Sequence, residues 1–196
     1  MINPSASVSG SSSIAATAKI WNFAQIRENV VIGDHTVIGS YVYVDSNVEI
    51  GKNCKIQNGA LIYDPAKIQD GVFIGPGVIL TNDHNPRAVQ ANESLKSEAD
   101  WVKEGVVVEF GASVGAGAIC IAPIRIGAWA LVGAGSVITK SVPAFALVVG
   151  NPAKQIGWVG KHGLKLNKIS EDTFECPKTL VRYKVVNGLL EEKESP

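Results

Sequence analysis

The residues best suited to proton transfer lie in one short polar segment, residues 81–88, with the sequence TNDHNPRA. His84 stands in the middle of this segment, and an imidazole titrates near neutral pH, so it can accept a proton from an attacking amine or hydroxyl. Four further side chains there can orient or hold a polar substrate by hydrogen bonds or charge: Asn82, Asp83, Asn85 and Arg87. The segment therefore predicts a site that binds a polar substrate and removes a proton from it.

Two of these assignments have plainer alternatives. Arg87 can hold a carboxylate or diphosphate through paired hydrogen bonds, but an ion pair that staples the loop would use the same guanidinium. Of the other two histidines, His35 lies on a corner beside Asp34 and is interpreted as a solvated turn residue, and His162 lies past the repeat with no partner suggested by the sequence. His84 is thus the best candidate for a general base.

Outside this segment an aliphatic residue (once a cysteine) returns at every sixth position. A helix would rotate such a stripe by about 240° per repeat, whereas an extended chain with an even period keeps every repeat on one side. Short parallel strands joined by tight corners form a parallel β-helix, so we predict an all-β fold of about six coils, with three repeats to a coil. The nineteen positions are Val8, Ile14, Ile20, Ile26, Ile32, Ile38, Val44, Ile50, Ile56, Ile62, Ile68, Ile74, Leu80, Val108, Val114, Cys120, Ile126, Val132 and Ile138.

Each repeat also has a compact residue two positions before the large one, as with Ala60 before Ile62, so two side chains should point inward. Glycine often follows the large residue directly, for example at Gly75 and Gly115. We expect these glycines to supply the backbone freedom of the corner.

The repeat is interrupted once, where Val108 follows Leu80 after 28 residues instead of 6. Residues 81–107 are therefore predicted to be an inserted loop, and a loop of this length in a compact domain is usually functional. We expect residues 1–160 to form one β-helix domain and residues 161–196 a small C-terminal tail. Asn187-Gly188 in that tail predicts a β-hairpin with a type I′ turn.

Composition narrows the function classes. The formal net charge is zero, which gives no electrostatic reason to bind nucleic acid or an anionic membrane. Cys54 and Cys120 fall on inward positions and no CxxC pair is present, so we expect free core thiols and no metal. The first residues lack the blocks of a signal peptide, and no apolar run reaches membrane-spanning length. We expect a cytoplasmic protein.

The repeat resembles that of the hexapeptide-repeat acyltransferases, which form a left-handed β-helix. The segment 54–88, CKIQNGALIYDPAKIQDGVFIGPGVILTNDHNPRA, is similar to one branch of them, bacterial N-acetyltransferases of nucleotide-linked 3-amino sugars. The resemblance covers about residues 14–160. It implies a homotrimer that uses acetyl-CoA to acetylate UDP-2-acetamido-3-amino-2,3-dideoxy-glucuronate or a dTDP-3-amino-3,6-dideoxyhexose, in the biosynthesis of surface polysaccharide such as lipopolysaccharide.

The same resemblance assigns roles to residues. It implies that His84 acts as general base, or that Asn82 orients an amine bound in its neutral form. Asn82, Asp83, Asn85 and Arg87 would contact the sugar nucleotide. On the donor side it implies that acetyl-CoA lies along the later coils, and that the segment GNPAK packs over it. Three residues would then bind acetyl-CoA: Ala112, Ala130 and Lys154.

Three other functions are compatible with a repeat of this kind. An O-acetyltransferase of serine or of a sugar hydroxyl would use the same scaffold and donor, and only the segment around His84 argues against it. A zinc-dependent carbonic anhydrase needs three histidines around one metal ion, and the coils contain too few. A purely structural solenoid would need neither the long insertion nor the GNPAK segment.

Overall fold

A computed structural model describes residues 1–193, and it consists almost entirely of very short strands separated by tight corners. Most of the coil strands are two residues long because the chain turns a corner after every repeat. Within the described residues the first nineteen strands are β1 (Ser7–Val8), β2 (Ser13–Ile14), β3 (Lys19–Ile20), β4 (Gln25–Ile26), β5 (Val31–Ile32), β6 (Val37–Ile38), β7 (Tyr43–Val44), β8 (Glu49–Ile50), β9 (Lys55–Ile56), β10 (Leu61–Ile62), β11 (Lys67–Ile68), β12 (Phe73–Ile74), β13 (Ile79–Leu80), β14 (Val106–Val108), β15 (Ser113–Val114), β16 (Ile119–Cys120), β17 (Ile124–Ile126), β18 (Leu131–Val132) and β19 (Val137–Ile138).

Every third strand is hydrogen-bonded in parallel, so that Ile20 pairs with Ile38 and Ile38 with Ile56. Three flat faces result, as the sequence period predicts. Face 1 contains β1, β4, β7, β10, β13, β16 and β19, and face 2 contains β2, β5, β8, β11, β14 and β17. Face 3 contains β3, β6, β9, β12, β15 and β18, and it continues into the C-terminal segment. The prediction of a parallel β-helix is confirmed.

The predicted inward positions form the core. Ile56 and Ile62 are fully buried, and so are the compact residues Cys54 and Ala60 that precede them. A fully buried hydroxyl in these coils, on Thr36, donates to the carbonyl oxygen of Gly51 at 2.7 Å and accepts from the Cys54 amide at 3.0 Å. Burial and alternation therefore follow directly from the six-residue period.

Glycine follows the large residue for a different reason from the backbone freedom expected above. The backbone at Gly75 and Gly115 is not left-handed; instead, a Cβ there would lie 2.6 Å from the Ala116 amide nitrogen and 2.5 Å from that of Ala134. The left-handed corner residue comes two positions later, as at Gly117 and Gly135, with φ of 67° and 68°. At Gly75 and Gly115 the absence of a Cβ therefore permits the close approach of the next coil.

The insertion leaves the coils after Leu80 and returns at Val106, the first residue of β14. It contains one short 3-10 helix, Glu98–Asp100, and an isolated bridge between Val89 and Leu95. The chain resumes the coil in register, because Lys67 of β11 pairs with Val107. The insertion is therefore an excursion from an otherwise continuous β-helix.

After the last coil the chain adds an antiparallel hairpin to face 3 and then a separate sheet. The remaining strands are β20 (Ala146–Gly150), β21 (Ala153–Trp158), β22 (Asn167–Lys168), β23 (Thr173–Glu175), β24 (Arg182–Val186) and β25 (Leu189–Glu192). Strands β22 to β25 form a four-stranded antiparallel sheet with a small core of their own around Tyr183.

The hairpin predicted in the tail is confirmed. Val186 pairs with Leu189, and the two turn residues, Asn187 and Gly188, have φ of 51° and 77°, as a type I′ turn requires. The division at residue 160 stays a prediction, and residues 194–196 of the proposed tail lie outside the described residues. None of the helices within residues 1–193 has the length and hydropathy needed to cross a membrane.

Candidate active site

The start of the insertion is fastened to the coils on both sides of it. The Asn82 side-chain amide donates to the carbonyl oxygen of Asp64 at 2.9 Å, one coil earlier. Thr81 Oγ1 accepts a hydrogen bond from the Ala122 amide at 3.0 Å, and His84 Nδ1 lies 3.0 Å from the Ala122 carbonyl oxygen, one coil later. The segment is therefore held by the scaffold although it lies in a loop.

The contact with Ala122 defines the state of the His84 ring. A carbonyl oxygen can only accept a hydrogen bond, so Nδ1 must carry the proton and donate it. In the neutral ring Nε2 then has a free lone pair, and the His84 residue is exposed. This is the tautomer and orientation that a general base needs.

Asn82 is oriented in a comparable way. Because its Nδ2 donates to Asp64, its Oδ1 is the acceptor that remains for a substrate. The residue is half-buried, so the amide is more restricted than a surface side chain. An acceptor fixed two residues before His84 in the chain can hold an N–H or O–H of a substrate.

The other predicted substrate residues are closer to solvent. Asp83 is half-buried and its Oδ1 accepts from the Asn85 amide at 2.8 Å, which shapes the turn after His84. Arg87 is exposed, and its guanidinium donates to the Pro86 carbonyl oxygen at 2.8 Å. The ion pairs found within residues 1–193 do not include Arg87, so the alternative of a loop-stapling salt bridge has no support.

A pocket of about 280 Å³ lies between the start of the insertion, residues 83–85, and the segment that returns to the coils, residues 96–105. We call this second stretch the return segment. A larger concavity, of about 620 Å³, lies on face 2 and includes none of the predicted site residues. The smaller pocket is the better candidate because it combines His84 with several charged groups. Its lining consists of Asp83, His84, Asn85, Lys96, Asp100, Trp101, Val102 and Glu104.

The pocket has an acidic character. Three carboxylates line it, on Asp83, Asp100 and Glu104, against one lysine, Lys96. Hydrogen bonds from the backbone amide and hydroxyl of Ser97 hold the pKa of Asp100 below its usual value, so this group is ionised at neutral pH. A cationic or polar group would be attracted to such a pocket more than an anion would.

Sequence reasoning missed the residues of the return segment and the corner beneath it. The side chain of Asp64 is only 5% exposed, and its Oδ2 lies 2.8 Å from Lys103 Nζ. Lys103 also lies over the Trp101 ring, 5.6 Å from its centroid, and the indole Nε1 of Trp101 is buried without a hydrogen-bond partner in the described part of the chain. Nothing in the spacing of the repeat marks these residues, because the insertion that supplies Trp101 and Lys103 is not periodic.

The two alanines predicted to contact the donor face the core. Ala112 and Ala130 are 0% and 1% exposed. Their backbone groups are also engaged: the Ala112 amide donates to Glu109 and its carbonyl accepts from Phe73, and Ala130 makes the equivalent bonds with Gly127 and Ser113. Their contact with acetyl-CoA stays a prediction, and the complete burial of Ala112 argues against it at that residue. Lys154, by contrast, is exposed on the hairpin of β20 and β21.

Exposed residues with backbone donors occur at the corner between face 3 and face 1, the edge of face 1 opposite to the one at which His84 lies. In an early coil the corner amide of Ser40 donates to Asn58 Oδ1 at 3.0 Å. The equivalent residues of later coils are Ala116 and Ala134, which are exposed and have no side chain that could supply an acceptor. Within residues 1–193 neither amide has a hydrogen-bond acceptor, although both following glycine amides do. This corner therefore offers two free N–H groups one coil apart.

The fold, the lack of a metal site in the described residues and the matches to known repeats together identify the family. Among residues 1–193 no three potential metal-ligating side chains come close enough together to hold a metal ion. Residues 11–46 and 47–82 match the bacterial transferase hexapeptide (six repeats), and residues 29–64 and 105–140 match the hexapeptide repeat of succinyl-transferase. Together these matches take in 108 of the 196 residues. The chain belongs to the hexapeptide-repeat transferase family.

Individual relatives act on different acceptors. The chain is 40% identical over 87 residues to the dTDP-3-amino-3,6-dideoxy-alpha-D-galactopyranose 3-N-acetyltransferase of Aneurinibacillus thermoaerophilus, which covers 44% of each protein. It is 33% identical over 132 residues to serine acetyltransferase 4 of Arabidopsis thaliana, covering 59% of this chain and 37% of that protein. The chain thus spans less than half the length of these two relatives.

A solved structure shares the fold. The acetyltransferase domain of PglB from Neisseria gonorrhoeae FA1090, in complex with acetyl coenzyme A, superposes with a TM-score of 0.53 at 19% sequence identity. The superposition covers 79% of this chain and 56% of the other. At this identity the likeness concerns the fold alone.

Proposed function

We propose that this protein transfers the acetyl group of acetyl-CoA to the amino group of a nucleotide-linked sugar. The observation that carries the proposal is the state of His84, whose Nδ1 is committed to Ala122 while Nε2 stays free beside a polar pocket. The similarity to an amino-sugar N-acetyltransferase supports the same reaction. The acceptor would be a UDP- or dTDP-linked 3-amino sugar of the kind named above, used for surface polysaccharide.

The acceptor amine would bind between Asn82 and His84. Asn82 Oδ1 would accept one N–H and align the nitrogen lone pair with the thioester carbonyl carbon. The nitrogen then forms the C–N bond, the C–S bond breaks, and the surplus proton of the amine passes to His84 Nε2. That proton can be returned to the departing thiolate, so that coenzyme A leaves as a thiol and His84 returns to its neutral state.

The donor would run along the corner that carries Ala116 and Ala134. Because this corner and His84 lie at opposite edges of face 1, the donor and the acceptor of one reaction would be bound by neighbouring copies of the chain in the predicted homotrimer. The amide carbonyls of an extended pantetheine arm are acceptors, and the two free N–H groups are donors that otherwise remain unpaired. Their methyl side chains leave room for the arm to lie against the corner. Lys154, exposed on the hairpin that follows the coils, would meet the phosphates of coenzyme A.

The charges around His84 favour an amine over a hydroxyl. A free amino sugar arrives mainly as an ammonium ion, and the carboxylates of Asp83, Asp100 and Glu104 would attract it. The ammonium would release one proton to solvent before the neutral amine attacks, so that only the second proton passes to His84. A neutral hydroxyl would gain nothing from them. Arg87 and Asn85, at the exposed side of the segment, would contact the diphosphate or the sugar.

The second candidate is an O-acetyltransferase, which the similarity to serine acetyltransferase 4 keeps open. Its chemistry would need the same imidazole but a hydroxyl acceptor. The two functions are separated by assaying acetyl transfer over a panel of UDP- and dTDP-linked 3-amino sugars, their 3-hydroxy counterparts and L-serine. We expect turnover with an amino sugar and none with the matched hydroxyl compound; the reverse result would overturn the proposal.

A further inference from the structure

Both ends of the insertion are attached to one corner of the preceding coil, residues 63–65. At the start of the insertion Asn82 Nδ2 donates to the Asp64 carbonyl oxygen at 2.9 Å. At its return Lys103 Nζ lies 2.8 Å from the Asp64 carboxylate. A single buried residue therefore holds a predicted catalytic side chain through its backbone and the far end of the loop through its side chain.

The chain also passes this corner at a distance that only glycine allows. A Cβ on Gly105 would lie 2.8 Å from the carbonyl oxygen of Pro65 and 2.9 Å from its carbonyl carbon. The obstacle is backbone, so it could not be relieved by a side-chain rotation. Gly105 and the Lys103–Asp64 pair thus fix the return segment at the same place by independent means.

The ion pair differs from the other pairs on the coils in its burial. The side chain of Asp64 is 5% exposed and that of Lys103 49%, whereas those of Lys67 and Glu49, which form a pair at 3.0 Å on face 2, are 58% and 57% exposed. Removing the cation from a carboxylate this buried is more costly than breaking an exposed pair, because water replaces the lost partner less well. An exposed pair contributes little, because water replaces the lost partner.

We infer that Lys103 and Asp64 form a clasp that closes the insertion over the pocket and keeps Asn82 in position for the acceptor. The inference rests on the proposed function, since it concerns the acceptor half of that site. Lys103 and Asp64 are positioning residues, because neither needs to touch the substrate. Trp101, which the Lys103 side chain covers, is held in the pocket wall by the same clasp.

Three variants test the clasp, Lys103→Met, Gly105→Ala and Lys103→Arg. Lys103→Met keeps the apolar stem and removes the charge, and Gly105→Ala keeps both charges but pushes the chain off Pro65. In either case we expect kcat/KM for the amino-sugar acceptor to fall roughly ten- to a hundred-fold, as for a misplaced reacting group, while the KM for acetyl-CoA hardly changes. Lys103→Arg retains the charge and should restore most of the activity.

The matched control is Lys67→Met, which breaks an exposed pair of similar length on face 2. It should change either kinetic constant by less than about two-fold. The Asp64→Asn and Lys103→Met changes should be non-additive when combined, because each removes the same interaction. Additive losses, or an equal rise of both KM values in Lys103→Met, would overturn the inference.

Amide hydrogen exchange of the protein without ligands provides a readout independent of activity. Lys103→Met and Gly105→Ala should speed exchange within residues 83–104 and leave the coil amides protected. Unchanged exchange in the insertion would refute the clasp even if activity fell. If the wild-type chain acetylated no amino sugar, the proposed function would fail, and the exchange result would still decide whether the clasp exists.

Discussion

At the scale of single residues, the central question is whether the His84 imidazole takes up a proton or only shapes the loop. Asparagine is the informative replacement, because its side-chain amide can still donate to the Ala122 carbonyl oxygen. It cannot act as a base near neutral pH. His84→Asn therefore separates the chemical role from the structural one.

We expect His84→Asn to lower kcat by about 10²–10⁴-fold and to remove the acidic limb of the pH–rate profile. A residue that only supplied a hydrogen bond would cost about 1 kcal/mol, or several-fold in rate. The measurement is kcat against pH for wild type, His84→Asn and Asn82→Ala. His84 is not the base if the variant keeps more than about a third of the wild-type turnover with its acidic limb unmoved.

The second residue-scale prediction concerns the free amide of Ala134. The corner sequence Gly133-Ala134-Gly135 repeats that of Gly75-Pro76-Gly77, so the corner accepts proline without a new backbone shape. Ala134→Pro would remove the N–H, and we expect the KM for acetyl-CoA to rise several-fold, by about 1 kcal/mol in binding. Initial rates at varied acetyl-CoA provide the measurement.

Two comparisons show whether that effect belongs to the donor site. Ala134→Ser keeps the N–H and should bind acetyl-CoA as the wild type does. The KM for the sugar nucleotide should not change in Ala134→Pro. If the sugar KM rose and the acetyl-CoA KM did not, the corner would belong to the acceptor instead.

At the scale of the elements, the strands are too short to be stable alone. The stacked side chains that point into the core, here called the inward column, must therefore hold the coils together. Ile56 of β9 lies in the middle of that column and is fully buried, whereas Lys55 in the same strand is exposed. Ile56→Asp would place a charge where none of the neighbouring side chains can pair with it. The cost of several kcal/mol is comparable to the total stability of about 5–15 kcal/mol of a domain.

We therefore expect Ile56→Asp to abolish the cooperative unfolding transition, measured by circular dichroism during heating. Lys55→Asp places the same carboxylate one residue away on the outer surface, and it should leave the transition close to that of the wild type. Loss of folding in both variants would show that the strand tolerates no change of charge at all, and would remove the evidence for the inward column.

At the scale of the whole molecule, the three faces differ in their outer residues. Face 1 presents an apolar column that includes Leu61, Ile79, Ile119 and Val137. Face 2 presents charged residues instead, among them Glu49, Lys67 and Arg125. Apolar flat surfaces of this kind pack well against copies of themselves, and His84 lies near the edge of face 1.

We predict a homotrimer that is assembled through face 1 and in which the acceptor pocket of each chain faces a neighbour. Light scattering at micromolar concentration should give three times the mass of the chain. Ile119→Glu would place a charge in the contact and should yield monomers, while Glu49→Gln on face 2 should not alter the mass. A monomeric wild-type protein would contradict the prediction.

The sequence by itself determined the parallel β-helix and marked the segment that carries the candidate site. A period of six fixes which side chains point inward whatever the distant contacts are, since alternation along a strand is a local property. The same alternation places Ala112 and Ala130 inside, two positions before Val114 and Val132, so the repeat predicts their burial. The cluster around His84 was also readable, because polar residues marked the break in the repeat.

Only the tertiary structure decided how the site is held. The proton on His84 Nδ1 is assigned by Ala122, 38 residues away, and Asp64 meets Lys103 across 39 residues. The free amides of Ala116 and Ala134 likewise depend on which side chains the neighbouring coils bring to that corner. These contacts join coils through a non-periodic insertion, and no local preference encodes where its return segment will lie.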